Sequence, residues 1–141
     1  MAVRKSEAVW QGNLKNGKGT MRLGSGAFQG AFSFSSRFEE GVGTNPEELI
    51  AAAHAGCFSM AFGNELSSAG FVPDQIFTVA SVTFGFVDGH PRITGIHLEC
   101  EAKVPGISAE TFQQIAQAAK TGCPVSVALS NVPITMRAKL V

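Results

Sequence analysis

The stretch TNPEELIAAAHAGCFSMAF, residues 44–62, predicts the long helix around which the rest of the chain is organised. Pro46 suits the first position of a helix, because a backbone N–H at that position has no hydrogen-bond partner within the helix and proline lacks one. Asn45 is then the N-cap, and Glu48 stands at the third helical position, as in a capping box. These signals predict a helix over residues 46–69 and give Glu48 a local structural role.

The predicted helix carries no charged residue between positions 49 and 63 and has no polar face. Many of its residues are alanine or glycine, which would let other elements approach closely. A helix that is apolar on every side is normally surrounded by protein. We therefore expect a central buried helix with Cys57 at its middle. It should end before Gly70, which can adopt the left-handed conformation of a C-terminal cap.

Composition limits the partners of the chain. The 141 residues suit one domain, and acidic and basic residues balance at 11 each. Nothing in this balance attracts the chain to nucleic acid or to an anionic membrane. Charged residues make up 16% and hydrophobic residues 45%, with 11 Phe and no Tyr, which leaves little polar surface to cover a monomer. We expect a buried subunit interface; an unusually apolar monomer is the alternative.

Three strands are predicted before the helix, within residues 1–40. AVWQGNLKNGKGTMRL indicates two strands joined at the Asn-Gly pair of positions 16–17, a strong hairpin signal. AFQGAFSFSSRFEE follows, and its Phe28, Phe32 and Phe34 alternate as in a third strand. GVGTNP then interrupts the pattern.

The remaining elements are predicted within residues 75–141. QIFTVASVTFGFV and RITGIHLECEAKV should pair as a hairpin across the turn DGHP. Ser108 caps a second helix that stops at Gly122, and Cys123 caps a short third helix that starts at Pro124. PITMRAKLV ends the chain as a strand.

The order of these elements predicts an α+β fold rather than the regular alternation of a parallel α/β sheet. We expect antiparallel sheets around the central helix. No internal repeat, low-complexity segment or linker is visible, so residues 1–141 should form a single domain.

The cysteines predict free thiols rather than a disulfide framework. Three cysteines cannot all pair within one chain, and MAVRKSEAVWQG contains no apolar core of signal-peptide length. We therefore expect a cytoplasmic protein with reduced thiols. The longest apolar run, residues 49–62, is shorter than the roughly 20 residues of a membrane span. The cysteine spacing matches no zinc pattern, so neither a metal nor another cofactor is expected.

Taken singly, the reactive side chains allow structural interpretations beside functional ones. Cys57 could be an inert core thiol. Cys123, at a predicted N-cap, could be a thiolate or an ordinary turn residue. Cys100 alternates with apolar positions of a strand, and we interpret it as part of the core. His54, one turn before Cys57, could be the base of a cysteine hydrolase; more often such a histidine is a hydrogen-bonded core residue, and no His/Asp pair completes a triad.

The motifs TNPEELIAAAHAGCFSMAF and KTGCPVS, with SSRFE upstream, resemble those of the OsmC/Ohr family of thiol-dependent hydroperoxide reductases, and of its OsmC branch in particular. The resemblance extends over nearly the whole chain, from AVWQGNLKNGKGT to the final strand. It implies an OsmC-like fold. It also implies a peroxiredoxin-like enzyme that reduces organic hydroperoxides in oxidative or osmotic stress.

The same resemblance implies roles for four residues. Cys57 would be the peroxidatic thiolate that becomes a sulfenic acid, and Cys123 the resolving thiol that closes a Cys57–Cys123 disulfide. Arg37, otherwise an ordinary edge charge, would lower the pKa of Cys57 and orient the peroxide. Glu47, otherwise a first-turn acid favoured by the helix dipole, would hold the guanidinium. In the Ohr branch of the family the corresponding arginine comes from an earlier strand, so Arg22 remains a weaker candidate for this role.

Helix geometry adds a prediction about assembly. Glu47 and Cys57 are ten residues apart on one predicted helix, and so about 15 Å apart along its axis. No arginine side chain spans that gap within one compact site, so Glu47, and with it Arg37, should come from a partner chain. Together with the low charge content, this predicts an intertwined homodimer with two composite sites.

The surroundings of Cys57 and the resemblance also suggest a substrate and a reductant. Phe58, Met60 and Phe62 would favour an organic hydroperoxide over hydrogen peroxide, and the resemblance favours a lipoyl-type dithiol as reductant. The alternatives are a non-catalytic binding or stress protein of the same fold, and a hydrolase that uses His54. The number of thiols lost on treatment with an alkyl hydroperoxide separates them: two per chain for the reductase and none for either alternative.

Overall fold

The computed structural model describes all 141 residues and contains six strands and four helices. This combination of strands and helices confirms the α+β class. The chain forms two compact units, residues 1–49 and 50–141; the long helix begins in the first and continues in the second. In chain order the elements are β1 (Ser6–Gln11), β2 (Lys18–Leu23), β3 (Gln29–Phe32), α1 (Phe34–Phe38), α2 (Pro46–Ser68), β4 (Gln75–Val87), β5 (His90–Lys103), α3 (Ala109–Gly122), α4 (Pro124–Ala128) and β6 (Ile134–Leu140).

β1, β2 and β3 form the antiparallel sheet of the first unit, in that order. The predicted hairpin is present, but residues 12–17 connect its strands, a longer loop than an Asn-Gly turn. The Asn13 carbonyl accepts from Gly17 N–H at 2.8 Å, and the Asn13 side chain accepts from Asn16 N–H at 2.8 Å. Gly12, with a φ of 95°, takes the left-handed conformation. The turn therefore depends on Gly12 and Asn13 as well as on Gly17 of the predicted pair, where an added Cβ atom would clash with the backbone oxygens of Gln11 and Asn13.

The prediction of a third strand is wrong beyond Phe32, because residues 34–38 form α1. Ser33 is the N-cap of this helix. Its hydroxyl accepts from the backbone N–H of Ser36 at 3.2 Å, and the Ser36 hydroxyl accepts from Ser33 N–H at 2.9 Å. This serine–serine capping box is a signal that the alternation of phenylalanines obscured. Arg37 therefore lies on a short helix and not at the end of a strand.

The start and end of α2 agree with the predicted signals. The Asn45 side chain accepts from Glu48 N–H at 2.8 Å. The Glu48 carboxylate accepts from the Thr44 hydroxyl at 2.6 Å. In a capping box it would instead accept from the backbone N–H of the N-cap residue, Asn45. The helix ends at Ser68, and Gly70 follows with a φ of 89°, as expected for a C-terminal glycine.

β4, β5 and β6 form the sheet of the second unit. The predicted hairpin of β4 and β5 is confirmed, and its turn places Asp88 (φ 52°) and Gly89 (φ 77°) in conformations that suit a tight hairpin. β6 runs parallel to β5, so the expectation of antiparallel sheets is wrong for this pair. α3 and α4 lie between the two strands in sequence and supply the long crossover that a parallel pair needs.

The core of the second unit lies between α2, the sheet and α3. One face of α2 is completely buried, with side chains spaced four residues apart at His54, Phe58, Phe62 and Leu66. The Phe62 ring meets the Phe112 ring of α3 edge-on, with centroids 5.3 Å apart. The sheet contributes the inward-facing residues of β5, which are Ile96, Leu98, Cys100 and Ala102.

Another face of α2 is exposed in the single chain. Ala52, Ala53 and Gly56 are exposed, and Met60 has 80% of its surface open. A Cβ atom added to Gly56 would meet no atom within 4 Å. The expectation that protein surrounds this helix on all sides is therefore wrong for one chain. An apolar face of this kind is suited to contact with another chain.

Candidate active site

Cys57 and Cys123 lie together in the second unit, although 66 positions separate them in sequence. Both are free thiols, and their Sγ atoms are 2.9 Å apart, with Cys123 donating to Cys57 when both are protonated. Cys57, on α2, is partly exposed, whereas Cys123 is completely buried. Two thiols at this distance can form a disulfide with little movement of the backbone.

The junction of α3 and α4 fixes the position of Cys123. The Cys123 N–H donates to the Ala119 carbonyl at 2.9 Å, and the Cys123 carbonyl accepts from Val127 N–H at 3.0 Å. Pro124 occupies the first position of α4, where its ring fits a helical backbone. A residue that ends one helix and caps the next has little freedom, so its thiol is held against α2.

The two thiols ionise unequally. Burial raises the pKa of Cys57, and its hydrogen bond with Cys123 raises it further, while a backbone hydrogen bond from Val125 partly offsets both. Burial also opposes ionisation of Cys123, but hydrogen bonds from Cys57 and from the backbone and hydroxyl of Ser126 outweigh it and lower the pKa of Cys123. Within one chain these contacts therefore favour ionisation of Cys123 over that of Cys57.

Ser126 belongs to this site although the sequence pattern does not single it out. It is buried in the first turn of α4, and its Oγ lies 2.8 Å from Nε2 of His54. His54 is completely buried, and burial lowers its pKa, so the imidazole is neutral. The ring contacts Ser126 through Nε2, and its other nitrogen has no hydrogen-bond partner. The interpretation of His54 as the base of a cysteine hydrolase therefore gains no support.

Arg37 and Glu47 form an ion pair within the first unit. Arg37 donates to Oε1 of Glu47 through Nη2 at 2.8 Å and through Nε at 3.0 Å. The Glu47 carboxylate, at the start of α2, is buried, whereas the Arg37 side chain retains 36% of its exposure. A carboxylate that receives two donors of one guanidinium fixes the plane of that group. The structure thus brings together Arg37 and Glu47, the two charged residues that the family resemblance predicted to pair.

An apolar cavity of about 230 Å³ lies beside Arg37 in the first unit. Its walls are mainly aromatic and include Trp10, Phe32 and Phe34. The Phe38 ring also lines it and lies under the guanidinium, with Cζ of Arg37 5.5 Å from the ring centroid. A charged group at the edge of an apolar cavity suits a ligand with an apolar body and a polar end.

The other candidates lie apart from these pairs. Arg22, on β2, pairs with Glu7 on β1 at 3.2 Å, and both side chains are exposed. Cys100 is completely buried, and burial raises its pKa; it is part of the core, as predicted. No cluster of three or more histidine, cysteine, aspartate or glutamate side chains is arranged to hold a metal ion. No helix has the length and apolar character needed to cross a membrane.

Sequence relatives place this α+β fold and its thiol pair among known proteins. The family model described as OsmC-like protein matches residues 39–137. The chain is 52% identical over 127 residues to Peroxiredoxin OsmC of Escherichia coli strain K12, with 89% of each chain covered. It is 32% identical over 102 residues to the Organic hydroperoxide resistance protein of Xanthomonas axonopodis pv. citri, with 68% of this chain and 67% of that one covered.

Solved structures share the fold. The organic hydroperoxide resistance protein OhrB of Bacillus subtilis superimposes with a TM-score of 0.77 at 23% identity, covering 96% of this chain and 98% of that one. The OsmC protein of Legionella pneumophila gives a TM-score of 0.75 at 20% identity, covering 99% and 100%. The fold and site define an α+β protein with a pair of adjacent thiols. The chain belongs to the OsmC-like family.

Proposed function

We propose that the chain is a thiol-dependent peroxidase that reduces organic hydroperoxides to alcohols, in defence against oxidative or osmotic stress. Relatives named Peroxiredoxin OsmC and Organic hydroperoxide resistance protein support the class of reaction. The observation that carries the proposal is the 2.9 Å separation of two free thiols. Thiols at this distance can cycle between dithiol and disulfide.

The first step is attack by the Cys57 thiolate on the terminal oxygen of the hydroperoxide. An S–O bond forms and the O–O bond breaks. The alkoxide that leaves takes up a proton and becomes the alcohol. Cys57 is oxidised to the sulfenic acid.

The second step is attack by the Cys123 thiolate on the sulfenic sulfur of Cys57. The S–S bond forms, the S–O bond breaks, and the leaving hydroxide takes up a proton to become water. A dithiol reductant of the lipoyl type then exchanges with the Cys57–Cys123 disulfide, which returns both thiols and oxidises the reductant to its own disulfide.

Activation of Cys57 requires a positive charge nearby, because burial and its neighbour raise its pKa in the single chain. Arg37 is suited to this role, since a guanidinium remains charged even when partly buried and Glu47 holds it in place. Beside Cys57, Arg37 would move the negative charge of the thiol pair from Cys123 onto Cys57. It would also orient the peroxide and stabilise the leaving alkoxide.

A partner chain would bring Arg37 and Glu47 to Cys57 in an intertwined homodimer. Glu47 and Cys57 are ten residues apart on α2, or about 15 Å along the helix axis, and Arg37 is paired with Glu47 of its own chain. Two surfaces are available to a partner: the exposed face of α2, rich in small residues, and β1, which is exposed along its whole length. Each composite site would then contain residues of both chains.

The cavity beside Arg37 supports an organic substrate. Its aromatic walls would receive the apolar part of a hydroperoxide while the guanidinium holds the oxygens. Hydrogen peroxide has no group to fill this cavity and should be the poorer substrate. Organisation as one domain and location in the cytoplasm remain predictions from the sequence.

A count of free thiols after reaction with an alkyl hydroperoxide tests the function. Wild type should lose two thiols per chain and regain them with a dithiol, because one turnover closes one disulfide. Cys57→Ser should consume no peroxide, whereas Cys100→Ser, the matched control at another cysteine, should remain nearly as active as wild type. A wild-type chain that loses no thiol would be a binding or stress protein of the same fold, and turnover by Cys57→Ser would exclude Cys57 as the reacting group.

A further inference from the structure

The helix α1 is too short to hold its own position. It has five residues, and a helix of that length is not stable in water unless other parts of the protein hold it. It nevertheless carries Arg37, whose guanidinium pairs with Glu47 at the start of α2. The Arg37 side chain is 36% exposed, and an ion pair with an exposed partner is weak on its own. A fixed guanidinium therefore requires that the backbone of α1 is also held.

Two hydrogen bonds attach α1 to the residues that precede α2. The Ser36 hydroxyl donates to the Thr44 carbonyl at 2.7 Å. The Asn45 side chain donates through Nδ2 to the Ser36 carbonyl at 3.1 Å. Both bonds meet at Ser36, the residue immediately before Arg37. Ser36 and Thr44 are buried, where a lost hydrogen bond is costly because water does not readily replace it.

The segment that receives α1 is itself held by the sheet of the first unit. The Thr44 N–H donates to the carbonyl of Ala31 in β3 at 2.8 Å. The bonds at Ser36 and the ion pair of Arg37 with Glu47 then close a ring of contacts between α1 and the start of α2. The position of the guanidinium depends on both sides of this ring.

Asn45 takes part in both helices. Its Oδ1 accepts from Glu48 N–H at 2.8 Å and caps α2, while Nδ2 of the same amide holds α1 through the Ser36 carbonyl. A cap requires only the oxygen, which an aspartate or a serine would also supply. The bond from Nδ2 therefore does something that helix capping does not explain.

We propose that Asn45 is a positioning residue for Arg37: its Nδ2–H holds α1 where the guanidinium pairs with Glu47. Asn45 acts on the chemistry only through Arg37. The consequence for catalysis rests on the proposed peroxidase function, in which Arg37 activates Cys57. The positioning of Arg37 does not rest on it.

Two substitutions of Asn45 separate the hold on α1 from the cap of α2. Asn45→Ser and Asn45→Asp each keep an oxygen that caps a helix about as well as asparagine does, but both lack the amide N–H that reaches the Ser36 carbonyl. Aspartate adds a charge and serine does not, so a change common to both reports the lost N–H. Ser108→Ala, which removes the N-cap bond of α3, is the matched control for a side-chain hydrogen bond lost at another helix start.

Solvent exchange of the Arg37 Nε–H measures the hold on the guanidinium without peroxide. This proton donates to Glu47 at 3.0 Å, and its NMR signal is identified by its absence from Arg37→Ala. Its exchange should be about three- to tenfold faster in both Asn45 variants, as expected for the loss of one hydrogen bond, and unchanged in Ser108→Ala. Unchanged exchange in a folded Asn45→Ser protein would overturn the proposal, as would equally faster exchange in Ser108→Ala.

Peroxidase kinetics test the consequence for the proposed function. In both Asn45 variants kcat/KM for an alkyl hydroperoxide should fall about three- to tenfold, because Arg37 is in place for a smaller fraction of the time. Ser108→Ala should keep the wild-type value. A wild-type kcat/KM in Asn45 variants whose Arg37 exchanges faster would contradict the catalytic part of the proposal.

The role of Asn45 and the proposed function fail separately. Unchanged Arg37 exchange in an active peroxidase would contradict the role of Asn45 alone. Faster exchange in the Asn45 variants of a protein whose wild type consumes no hydroperoxide would contradict the peroxidase and leave the positioning of Arg37 intact. Circular dichroism and urea denaturation of each variant establish that the protein is folded.

Discussion

At the scale of single residues, the proposed peroxidase chemistry depends on which of two adjacent sulfurs carries the negative charge. Within one chain the hydrogen bonds favour charge on Cys123, and burial works against charge on Cys57. Because the two sulfurs are only 2.9 Å apart, a guanidinium beside one of them can favour the negative charge on that sulfur. Arg37 would therefore prepare Cys57 for the peroxide.

Loss of the resolving thiol should stop the cycle after its first step. Cys123→Ser should react with about one equivalent of hydroperoxide and retain a Cys57 sulfenic acid, which would over-oxidise more readily because no thiol condenses with it. Mass spectrometry of peroxide-treated wild type should show a Cys57–Cys123 bridge within one chain. A dominant bridge through Cys100 would mean that the resolving residue is assigned wrongly.

Buried His54 should also make stability depend on pH. Its pKa is lowered in the folded chain by burial, so below the ordinary histidine pKa of about 6.5 the unfolded chain binds a proton that the folded chain does not. This contribution to stability is complete above that pH and is lost as the pH falls toward the folded-state pKa. His54→Gln, which cannot titrate, should show a shallower fall in unfolding free energy from pH 7 to pH 5 in urea denaturation. An identical pH dependence of the two proteins would show that folding does not lower the pKa of His54.

At the scale of elements, the short helix α1 determines where Arg37 lies. Ser33→Ala removes the hydroxyl that caps this helix and should lower the free energy of unfolding by about 0.5–2 kcal/mol, the usual range for a lost N-cap. Peroxidase activity should also fall in this variant, because α1 holds Arg37 in position. Ser67→Ala, at an exposed position of α2, is the matched control and should change stability by a few tenths of a kcal/mol. Equal stabilities of the two variants in urea would contradict a capping role for Ser33.

Local signals predicted most element boundaries correctly. Asn45 and Ser108 do cap their helices, and Gly70 does follow α2 in a left-handed conformation. The errors arose where local pattern and tertiary structure disagree. The alternation of Phe32 and Phe34 concealed the helix start at Ser33, and the parallel direction of β6 depends on a crossover that no short window contains.

The site was predictable only in part for the same physical reason. Cys57, Cys123, Arg37 and Glu47 lie in recognisable motifs, and the structure brings them together as two close pairs. The contact of His54 with Ser126 joins residues 72 positions apart. A serine in the first turn of a helix gives no local indication that it bonds to a distant imidazole.

At the scale of the whole molecule, each compact unit holds one of these pairs. Arg37 and Glu47 belong to residues 1–49, and the two thiols belong to residues 50–141. The exposed apolar face of α2 offers surface for a second chain. A homodimer in which each chain supplies the ion pair for its partner's thiols would account for both observations.

Complementation between two inactive variants tests this shared site most directly. Arg37→Ala and Cys57→Ser chains should each be inactive as folded homodimers. After they are mixed, unfolded and refolded together, random pairing makes about half of the dimers mixed, and each mixed dimer has one site with intact Arg37, Glu47 and Cys57. Peroxidase activity should therefore recover to about a quarter of wild type. A refolded mixture of dimers that stays as inactive as its parents would contradict the shared site and place Arg37 and Cys57 of each site in the same chain.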